Sequence, residues 1–181
     1  MQNVQGLALV ASPHLSDPNF LKSVVYILRH DDEGALGLIL NRPTSTNVGD
    51  LLGQLSEQSL CNEAAVFCGG PVDGPLVMLQ RIEMGDEVLI AAASDQESIL
   101  NTCEDQGVVR DYRVFDGYAG WGAGQLESEL SQGGWIVWEL SPDDIFSEPE
   151  TVWQRAIQEI GKDILSGGID PSLIPEDPAF N

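Results

Sequence analysis

The residue types that could do chemistry are concentrated in three short segments, two of which follow strongly apolar runs. Asn41 and Arg42 end one such run, and Gly69, Gly70 and Pro71 follow another. A turn of glycines can present backbone N–H groups to a small anion or a carbonyl group, and an arginine can anchor an anionic ligand. The alternatives are structural: a salt bridge for Arg42, and a proline-fixed turn that needs a positive φ at a glycine.

The third segment is the glycine-rich stretch 117–124, which lies between a predicted strand and a predicted helix. Phosphate-binding loops occur at such places, but the glycine spacing is not GxGxxG and no Gly-Lys-Ser/Thr follows. Glu127 and Glu129 would also face a bound phosphate from the first turns of the helix. We therefore interpret the stretch as a turn that packs on Tyr118 and Trp121.

Metal-binding residue types occur together at 30–33, where the sequence is His-Asp-Asp-Glu. Neighbouring residues of a hairpin loop point in divergent directions, so we interpret this segment as a solvated loop and predict no metal and no cofactor.

The chain has no Gly-x-Ser-x-Gly nucleophile elbow, and the sequence assigns no catalytic residues. Cys68 is either a reactive thiol, if it is exposed, or a small buried apolar residue.

The strongest secondary-structure signal is a β-hairpin formed by two continuous apolar runs, Val24–Leu28 and Ala35–Leu40. A five-residue polar loop at 30–34, ending in glycine, separates them. Apolar runs without alternation predict strands that are covered on both faces. The hairpin therefore lies in a sheet that is sandwiched between layers or curled on itself.

The predicted pairing of the two hairpin strands places the polar candidates His30 and Asn41 at opposite ends of the hairpin. If Arg29 lies opposite Ala35, then Asn41 lies opposite Ser23. His30 would then be about 20 Å from Asn41, at roughly 3.3 Å per residue along the strands.

Turn and capping signals predict the remaining elements. Asn47 or Thr46 caps one helix, Ser94 and Glu97 form a capping box for another, and Asp17 begins at most a short helical turn. The predicted strands are 6–11, 65–68, 76–82, 87–92, 112–115 and 135–140, and the predicted helices are 48–55, 94–104, 125–131 and 149–160.

These interleaved elements predict an α/β (α+β) fold with one mixed, largely antiparallel sheet flanked by helices. The chain has 181 residues, which suits a single domain at 1–165 with an irregular tail at 166–181.

Its three cysteines form no CxxC pair, which favours reduced thiols and a cytoplasmic location. The amino-terminal apolar run is short and lacks a basic flank, which is typical of a strand and not of a signal peptide.

The chain is strongly acidic, with 29 Asp and Glu residues against 8 Lys and Arg residues and a net charge of −21. Fifteen of the acidic residues lie in the segment 86–150. Such a charge repels phosphates and anionic lipids, so we predict neither direct nucleic-acid binding nor membrane binding. A surface formed by 86–150 could attract a basic protein partner.

Several blocks resemble the bacterial YqgE/AlgH family. They are SP-x-L-x-DP-x-F at 12–20, SVVYILRHDDEGALGLILNRP at 23–43, GGPV at 69–72, and YAGWGAGQLESEL with the following Gly-Trp within 118–135. The resemblance spans most of the chain and implies a mixed α/β fold whose sheet bends into a pseudo-barrel. The family implies no catalytic residues. Some members of the family are labelled transcriptional regulators. The negative charge of this chain disfavours a role that requires direct DNA binding.

Two functional hypotheses follow. The first is a non-enzymatic regulatory or protein-binding module, because no complete catalytic constellation is visible. The second is a small-ligand-binding protein or enzyme, because glycine-rich turns with aromatic and amide side chains at strand ends often form pockets. Its candidate pocket is lined by Asn41, Arg42, Gly69, Gly70, Pro71, Val72, Tyr118, Trp121 and Gln125.

Overall fold

Ten strands and five helices make up the residues that the computed structural model describes, which are 3–55, 62–85, 87–104 and 111–166. Short apolar runs between turn signals form most of the strands, and amphipathic segments form the longer helices. The strands are β1 (Ala8–Ala11), β2 (Val24–Asp31), β3 (Gly34–Ile39), β4 (Pro43–Asn47), β5 (Ala65–Cys68), β6 (Val77–Met84), β7 (Glu87–Ala93), β8 (Tyr112–Asp116), β9 (Ala119–Gly122) and β10 (Trp135–Trp138). The helices are α1 (Val48–Leu55), α2 (Gln96–Glu104), α3 (Gln125–Ser131), α4 (Pro142–Ile145) and α5 (Pro149–Ser166).

The first sheet has the strand order β10-β1-β2-β3-β9 and is antiparallel throughout. The predicted hairpin lies at its centre. Val24, Leu38 and Leu40 pack on one face of this hairpin, whereas Val25 and Ile39 pack on the other. The prediction of strands covered on both faces is therefore confirmed.

The second sheet has the order β4-β5-β8-β6-β7, in which β5 and β8 are parallel and the other pairs are antiparallel. One of the two sheets is curled into a half-barrel, and the predicted α+β class is confirmed. The prediction of a single sheet is wrong, because the chain changes sheets between β3 and β4. Leu40 still bonds to Val24 of the first sheet, whereas the Arg42 carbonyl already accepts from Cys68 of the second.

Three apolar clusters fill the spaces between these layers. The first lies between the two sheets and includes Leu38, Leu79 and Phe115, with Val152 and Ala156 of α5 packed onto it. The second covers the other face of the first sheet, beneath α3, and the third lies between the second sheet and helices α1 and α2. The first sheet is thus buried on both faces, and the side chains on its α3 face build the candidate site.

A buried arginine ties the two sheets together. Arg113 of β8 donates from Nη1 to the Leu40 carbonyl at 3.0 Å and also donates to the Ser147 carbonyl. Its guanidinium lies 4.5 Å from the centroid of the Phe67 ring. Burial lowers the pKa of Arg113 to about 10, although Glu148 and Glu150 partly oppose this effect.

A β-bulge at Leu28 shifts the hairpin register by one residue. Val25 lies opposite Ile39, which continues to place Asn41 beside Ser23, as predicted. Beyond the bulge, Arg29 lies opposite Leu36 and not opposite Ala35. A bulge re-aims the side chains that follow it, and here it turns His30 inward.

The glycine-rich stretch 117–124 differs from its interpretation as a turn between a strand and a helix. Its middle residues form β9, which pairs with β3 at the edge of the first sheet. The close approach requires glycine at position 34, because a Cβ atom there would lie 2.1 Å from the Trp121 carbonyl oxygen. The turn between β9 and α3 is therefore only the two residues Ala123 and Gly124, and the helix that follows carries Glu127 in its first turn, which disfavours a bound phosphate.

Several boundaries and caps also differ from the predictions. The carboxylate of Asp95, and not the predicted Ser94, accepts from the Ser98 N–H at the start of α2, whereas Asn47 caps α1 as predicted. The segment after Asp17 forms hydrogen-bonded turns in place of a short helix. The strands β4 and β9 and the short helix α4 were not predicted, because they are too short or too polar to give a periodic signal.

No helix within the described ranges is long and apolar enough to cross a membrane. Cys61 and residues 167–181 of the predicted tail lie outside the described residues, whereas Ser166 is the last residue of α5. Of the other two cysteines, Cys103 is buried and Cys68 is half-buried.

Candidate ligand site

One face of helix α3 presents three polar side chains to a cavity of about 400 Å³. The helix begins after Gly124, whose φ of 74° allows the chain to turn out of β9. Leu126 is fully buried in the cluster beneath α3 and holds the helix against the first sheet. Gln125, Glu129 and Gln132 line the cavity at the spacing of one helical face, which is adjacent to the buried side of Leu126.

Glu129 is the central polar group of this cavity. Its Oε2 atom accepts hydrogen bonds from the indole nitrogens of Trp121 at 2.9 Å and Trp135 at 2.7 Å. Its Oε1 atom accepts from Nε2 of Gln125 at 2.9 Å. All three donors are neutral, so they fix the carboxylate in one orientation but leave its charge uncompensated.

An aromatic cluster forms the floor of the cavity. Trp121 and Trp135 are 5% and 3% exposed, and their ring centroids are 5.8 Å apart in an edge-to-face arrangement. Phe20 stacks on Trp121 at 6.0 Å and meets Trp135 edge-on at 5.4 Å. Since Phe20 comes from the loop before β2, the cluster joins three parts of the chain that are distant in sequence.

The wall opposite α3 is the turn that follows β1. The N–H of Ser12 donates to the Gly134 carbonyl at 3.0 Å, which ties this turn to the end of α3. His14 and Asp17 line the cavity from this side. The described residues around the cavity thus include two carboxylates and one imidazole but no lysine or arginine.

A hydrogen bond between the buried His30 and the half-buried Glu127 joins α3 to β2. Nδ1 of His30 accepts a hydrogen bond from the Val4 N–H at 3.2 Å, so Nε2 carries the proton and donates to Oε1 of Glu127 at 2.9 Å. The backbone N–H of Glu127 and the His30 side chain, in that order of importance, lower the pKa of Glu127. The interpretation of His30 as a solvated loop residue is therefore wrong: it is 6% exposed and lies within β2.

Among the described residues, no group of three or more His, Cys, Asp and Glu side chains is placed to hold a metal ion. The two residues that follow His30 in the predicted metal-type segment differ from it in exposure. Asp31 is exposed at the end of β2, and Asp32 lies in the two-residue turn that replaces the predicted five-residue loop.

Asn41 and Arg42, the first of the predicted ligand-binding residues, make backbone contacts at the end of the hairpin. The Asn41 side chain accepts from the Val24 N–H at 3.0 Å and donates to the Lys22 carbonyl at 2.9 Å. Arg42 is half-buried, and its guanidinium lies 3.4 Å from the Leu21 carbonyl oxygen. These two bonds of Asn41 therefore stabilise the register in which β2 pairs with β3.

Gly69, Gly70 and Pro71 form a turn that packs directly on the backbone around Tyr118. A Cβ atom on Gly70 would lie 2.1 Å from the Tyr118 carbonyl carbon, and one on Gly69 would lie 2.2 Å from the Gly117 carbonyl oxygen. Neither glycine has a positive φ. The structural reason for these glycines is close backbone packing, and the expected positive φ is wrong.

The predicted pocket residues thus fall into two groups. Trp121 and Gln125 line the cavity beside α3, whereas Asn41, Arg42, Gly69, Gly70, Pro71 and Tyr118 are not among its lining residues. The side chain of Tyr118 packs with the cluster between the sheets, and Trp121 packs with the cluster beneath α3. A ligand-binding role for either group stays a prediction.

Sequence reasoning missed Phe20, Trp135, His14 and Asp17 as cavity residues, and it assigned Glu129 only to the helix dipole. These residues come from segments that are distant in sequence, and Trp121 and Trp135 lie on the two opposite edge strands of the first sheet, so only the tertiary fold brings them together. One local signal was available: Gln125, Glu129 and Gln132 have the i, i+4, i+7 spacing of a single polar helix face.

Comparison with known proteins places this fold in a family. The family model described as AlgH-like, DUF179, matches residues 8–165. This chain belongs to the AlgH-like family. A UPF0301 protein of Streptomyces coelicolor is 36% identical over 199 residues, covering 100% of this chain and 97% of the relative. A UPF0301 protein of Coxiella burnetii is 38% identical over 170 residues, covering 89% and 92%.

Two solved structures are also similar to this AlgH-like chain. The solution structure of the AlgH protein from Pseudomonas aeruginosa has a TM-score of 0.67 and 27% sequence identity, with 100% of both chains covered. The crystal structure of a protein from Corynebacterium diphtheriae has a TM-score of 0.68 and 22% identity, with 88% of both chains covered. The expected YqgE/AlgH membership is therefore confirmed, and the family has no specific biochemical function assigned.

Proposed function

We propose that this AlgH-like chain is a non-enzymatic binding module of the cytoplasm that takes a small organic cation in the cavity beside α3. One observation carries the proposal. The Glu129 carboxylate is held by three neutral donors, next to an aromatic cluster, in a cavity with no lysine or arginine among its described lining residues. A regulatory role would follow if cation binding alters the contacts of α3.

The charge of the site favours a cation over an anion or a neutral molecule. A carboxylate offers about four lone-pair positions, and the three donors occupy three of them. The remaining position on Oε1 can accept from an ammonium or guanidinium group, and Asp17 adds a second negative charge. Aromatic rings beside a carboxylate add an attraction of about 0.5–2 kcal/mol for a cation over a ring face.

The arrangement also supports binding more than catalysis. The two indoles and Gln125 occupy most of the hydrogen-bonding positions of Glu129, so its carboxylate is suited to anchoring a ligand. The rigid aromatic floor requires little reordering when a ligand enters, which favours affinity.

The cytoplasmic assignment draws its support from three cysteines that form no CxxC pair.

The test compares ligands of one shape and three charges. We expect n-butylammonium to raise the melting temperature and to change the fluorescence of Trp121 and Trp135, and n-butanol and butyrate to change neither. A ligand present at about 100 times its Kd stabilises a protein by about 2.7 kcal/mol. n-Butylguanidinium, which has the same alkyl chain and a single guanidinium group, extends the comparison to a second cationic head group.

A matched pair of variants locates the binding site. Glu129→Gln should weaken n-butylammonium binding by roughly tenfold or more, which corresponds to about 1.4 kcal/mol. Glu139→Gln removes the same charge from an exposed position outside the cavity lining and should leave the affinity unchanged. Equal binding of butyrate, or equal losses in both variants, would contradict the proposal.

A further inference from the structure

Strand β7 differs from the other edge strands of the molecule. It is the outermost strand of the second sheet, and its seven residues pair with β6 in an unbroken register from Met78–Ala93 to Met84–Glu87. The edge strands β9 and β10 have four residues each, and β4 begins with Pro43. Short length and proline discourage the addition of another strand, and β7 has neither feature.

The outer part of the β6–β7 hairpin exposes apolar side chains on one face. Ile82 lies directly opposite Leu89, and Met84 is two residues further along the same face. They are 37%, 48% and 62% exposed, respectively. Together they form an exposed apolar surface, named here the β7 surface, beside the outer edge of β7, to which no further strand pairs among the described residues.

Acidic residues lie at both ends of the β6–β7 hairpin. Glu83 and Glu87 are exposed at the turn end of the hairpin, and Asp95 and Glu97 are exposed just beyond its other end. The basic residue of the hairpin, Arg81, is already paired: it contacts the carboxylates of Asp143, Asp111 and Glu83. The local charge offered to a partner is therefore negative.

We propose that β7 is the docking edge for a partner protein, which adds an extended segment with apolar residues at alternate positions and lysine or arginine at its ends. Backbone hydrogen bonds to the free edge would provide part of the affinity, and the apolar contacts with Leu89 and Ile82 would fix the register. The four carboxylates would select the basic flanks and accelerate association. The site is separate from the cavity beside α3, so the two proposals can fail independently.

The probe is an acetylated nine-residue peptide, KRTVTVTRK, labelled for fluorescence anisotropy. We expect saturable binding to the full chain that weakens at least about threefold when salt is raised from about 0.05 M to about 0.3 M, because the charged flanks are screened. A version of the peptide with N-methyl groups on alternate backbone nitrogens should bind roughly tenfold more weakly. It keeps the charges but loses the donors that pair with β7.

Two matched variants identify the edge. Leu89→Lys places a charge on β7 and should weaken peptide binding roughly tenfold. Leu21→Lys makes the same change at a leucine that is 51% exposed in another part of the chain and should leave the affinity within about twofold. Circular dichroism establishes that both variants are folded before binding is compared.

Three outcomes would overturn the proposal. Equal binding of the N-methylated peptide would show that charge alone attracts the probe. Equal losses from Leu89→Lys and Leu21→Lys would place the contact elsewhere. A mass of two chains in analytical ultracentrifugation, reduced to one chain by Leu89→Lys, would show that β7 pairs with a second copy of itself.

Discussion

At the scale of single residues, the pair formed by His30 and Glu127 shows how a buried polar group supports the candidate site. His30 connects three segments: the chain before β1 through Val4, the central strand β2, and helix α3 through Glu127. Removing the imidazole would leave the Val4 N–H without this acceptor inside the protein, at a cost of about 1–3 kcal/mol. Because Glu127 and Glu129 lie on the same helix, this pair also helps to place the carboxylate of the cavity.

The pair predicts a pH dependence with a definite sign. The pKa of Glu127 is lowered from its ordinary value of 4.5, because its own backbone N–H and the His30 side chain donate to the carboxylate. A carboxyl group with a lowered pKa in the folded state stabilises the fold above its unfolded pKa, and this contribution is lost as the pH falls through the folded pKa. Glu127→Gln should therefore destabilise the protein at pH 7 and make progressively less difference below about pH 4.5.

Urea unfolding of the parent protein and Glu127→Gln at several pH values between 7 and 3 checks this prediction. The same substitution in a His30→Phe background is the control. Its effect should shrink but keep its sign, because the backbone N–H of Glu127 still donates to the carboxylate. A difference in stability that grows as the pH falls would contradict the assignment.

At the scale of elements, the contact between the turn 69–72 and the backbone around Tyr118 determines how the two sheets meet. The N–H groups of Val72 and Tyr118 donate to each other's carbonyl oxygens, each at 3.0 Å. Gly69 donates to Asp116 at 2.8 Å, and its carbonyl accepts from Ile39 of the first sheet at 2.8 Å. The turn therefore bonds to both sheets through its backbone.

Two alanine substitutions should have opposite effects on stability. Gly70→Ala would place a Cβ atom 2.1 Å from the Tyr118 carbonyl carbon and 2.2 Å from the Ala119 nitrogen, so the backbone must move. We expect a loss of about 3 kcal/mol or more, which is at the upper end for single substitutions. Gly161→Ala, in α5 with no atom within 4 Å of the new Cβ, should stabilise the protein by about 0.5–1 kcal/mol. Chemical unfolding of both variants measures the difference, and a mild effect at Gly70 would contradict the close packing.

The hairpin shows how far the sequence predicts the fold. Continuous apolar runs were enough to predict two strands covered on both faces, and the pairing of Asn41 with Ser23 was predicted correctly. The bulge at Leu28 has no signal in the sequence, because bulged and regular strands have the same composition. The burial of His30 could therefore not be predicted, since a one-residue shift decides which face a side chain joins.

The candidate site was less predictable than the fold, for a related reason. Trp121 and Gln125 belong to a recognisable local segment and line the cavity beside α3, whereas the predicted pocket joined them to Asn41, Arg42 and the turn 69–72, which do not line it. Phe20 lies far before this segment in the chain, and Trp135 lies 10 residues after Gln125. The strand order β10-β1-β2-β3-β9 puts Trp121 and Trp135 on opposite edge strands, so the curvature of the sheet is needed to bring their ring centroids to 5.8 Å. Local patterns carry no information about such an order when the connections vary in length.

At the scale of the whole molecule, the acidic residues that give the net charge of −21 differ in whether they have a bonding partner. Some carboxylates have structural partners: Glu127 bonds to His30, and Asp144 bonds to Ser141 and Arg155. Others, such as Glu87 and Glu139, are exposed at the surface. The acidic segment 86–150 is therefore not one uniform surface. It meets the β7 surface at Leu89, where exposed apolar side chains lie beside the acidic Glu87.

The exposed charges predict that salt stabilises this protein. Like charges repel one another more strongly in the compact state than in the expanded unfolded chain, and the screening distance falls from about 30 Å at 0.01 M salt to about 8 Å at 0.15 M. Raising sodium chloride across this range should increase the free energy of unfolding by about 1 kcal/mol, or the melting temperature by about 2–4 °C for a chain of this size. Urea is the appropriate denaturant because it adds no charge of its own. The double variant Glu87→Gln/Glu139→Gln, which removes two exposed charges, should show a smaller increase, and a decrease in stability with salt would mean that attractive ion pairs such as Arg155–Asp144 outweigh the repulsion.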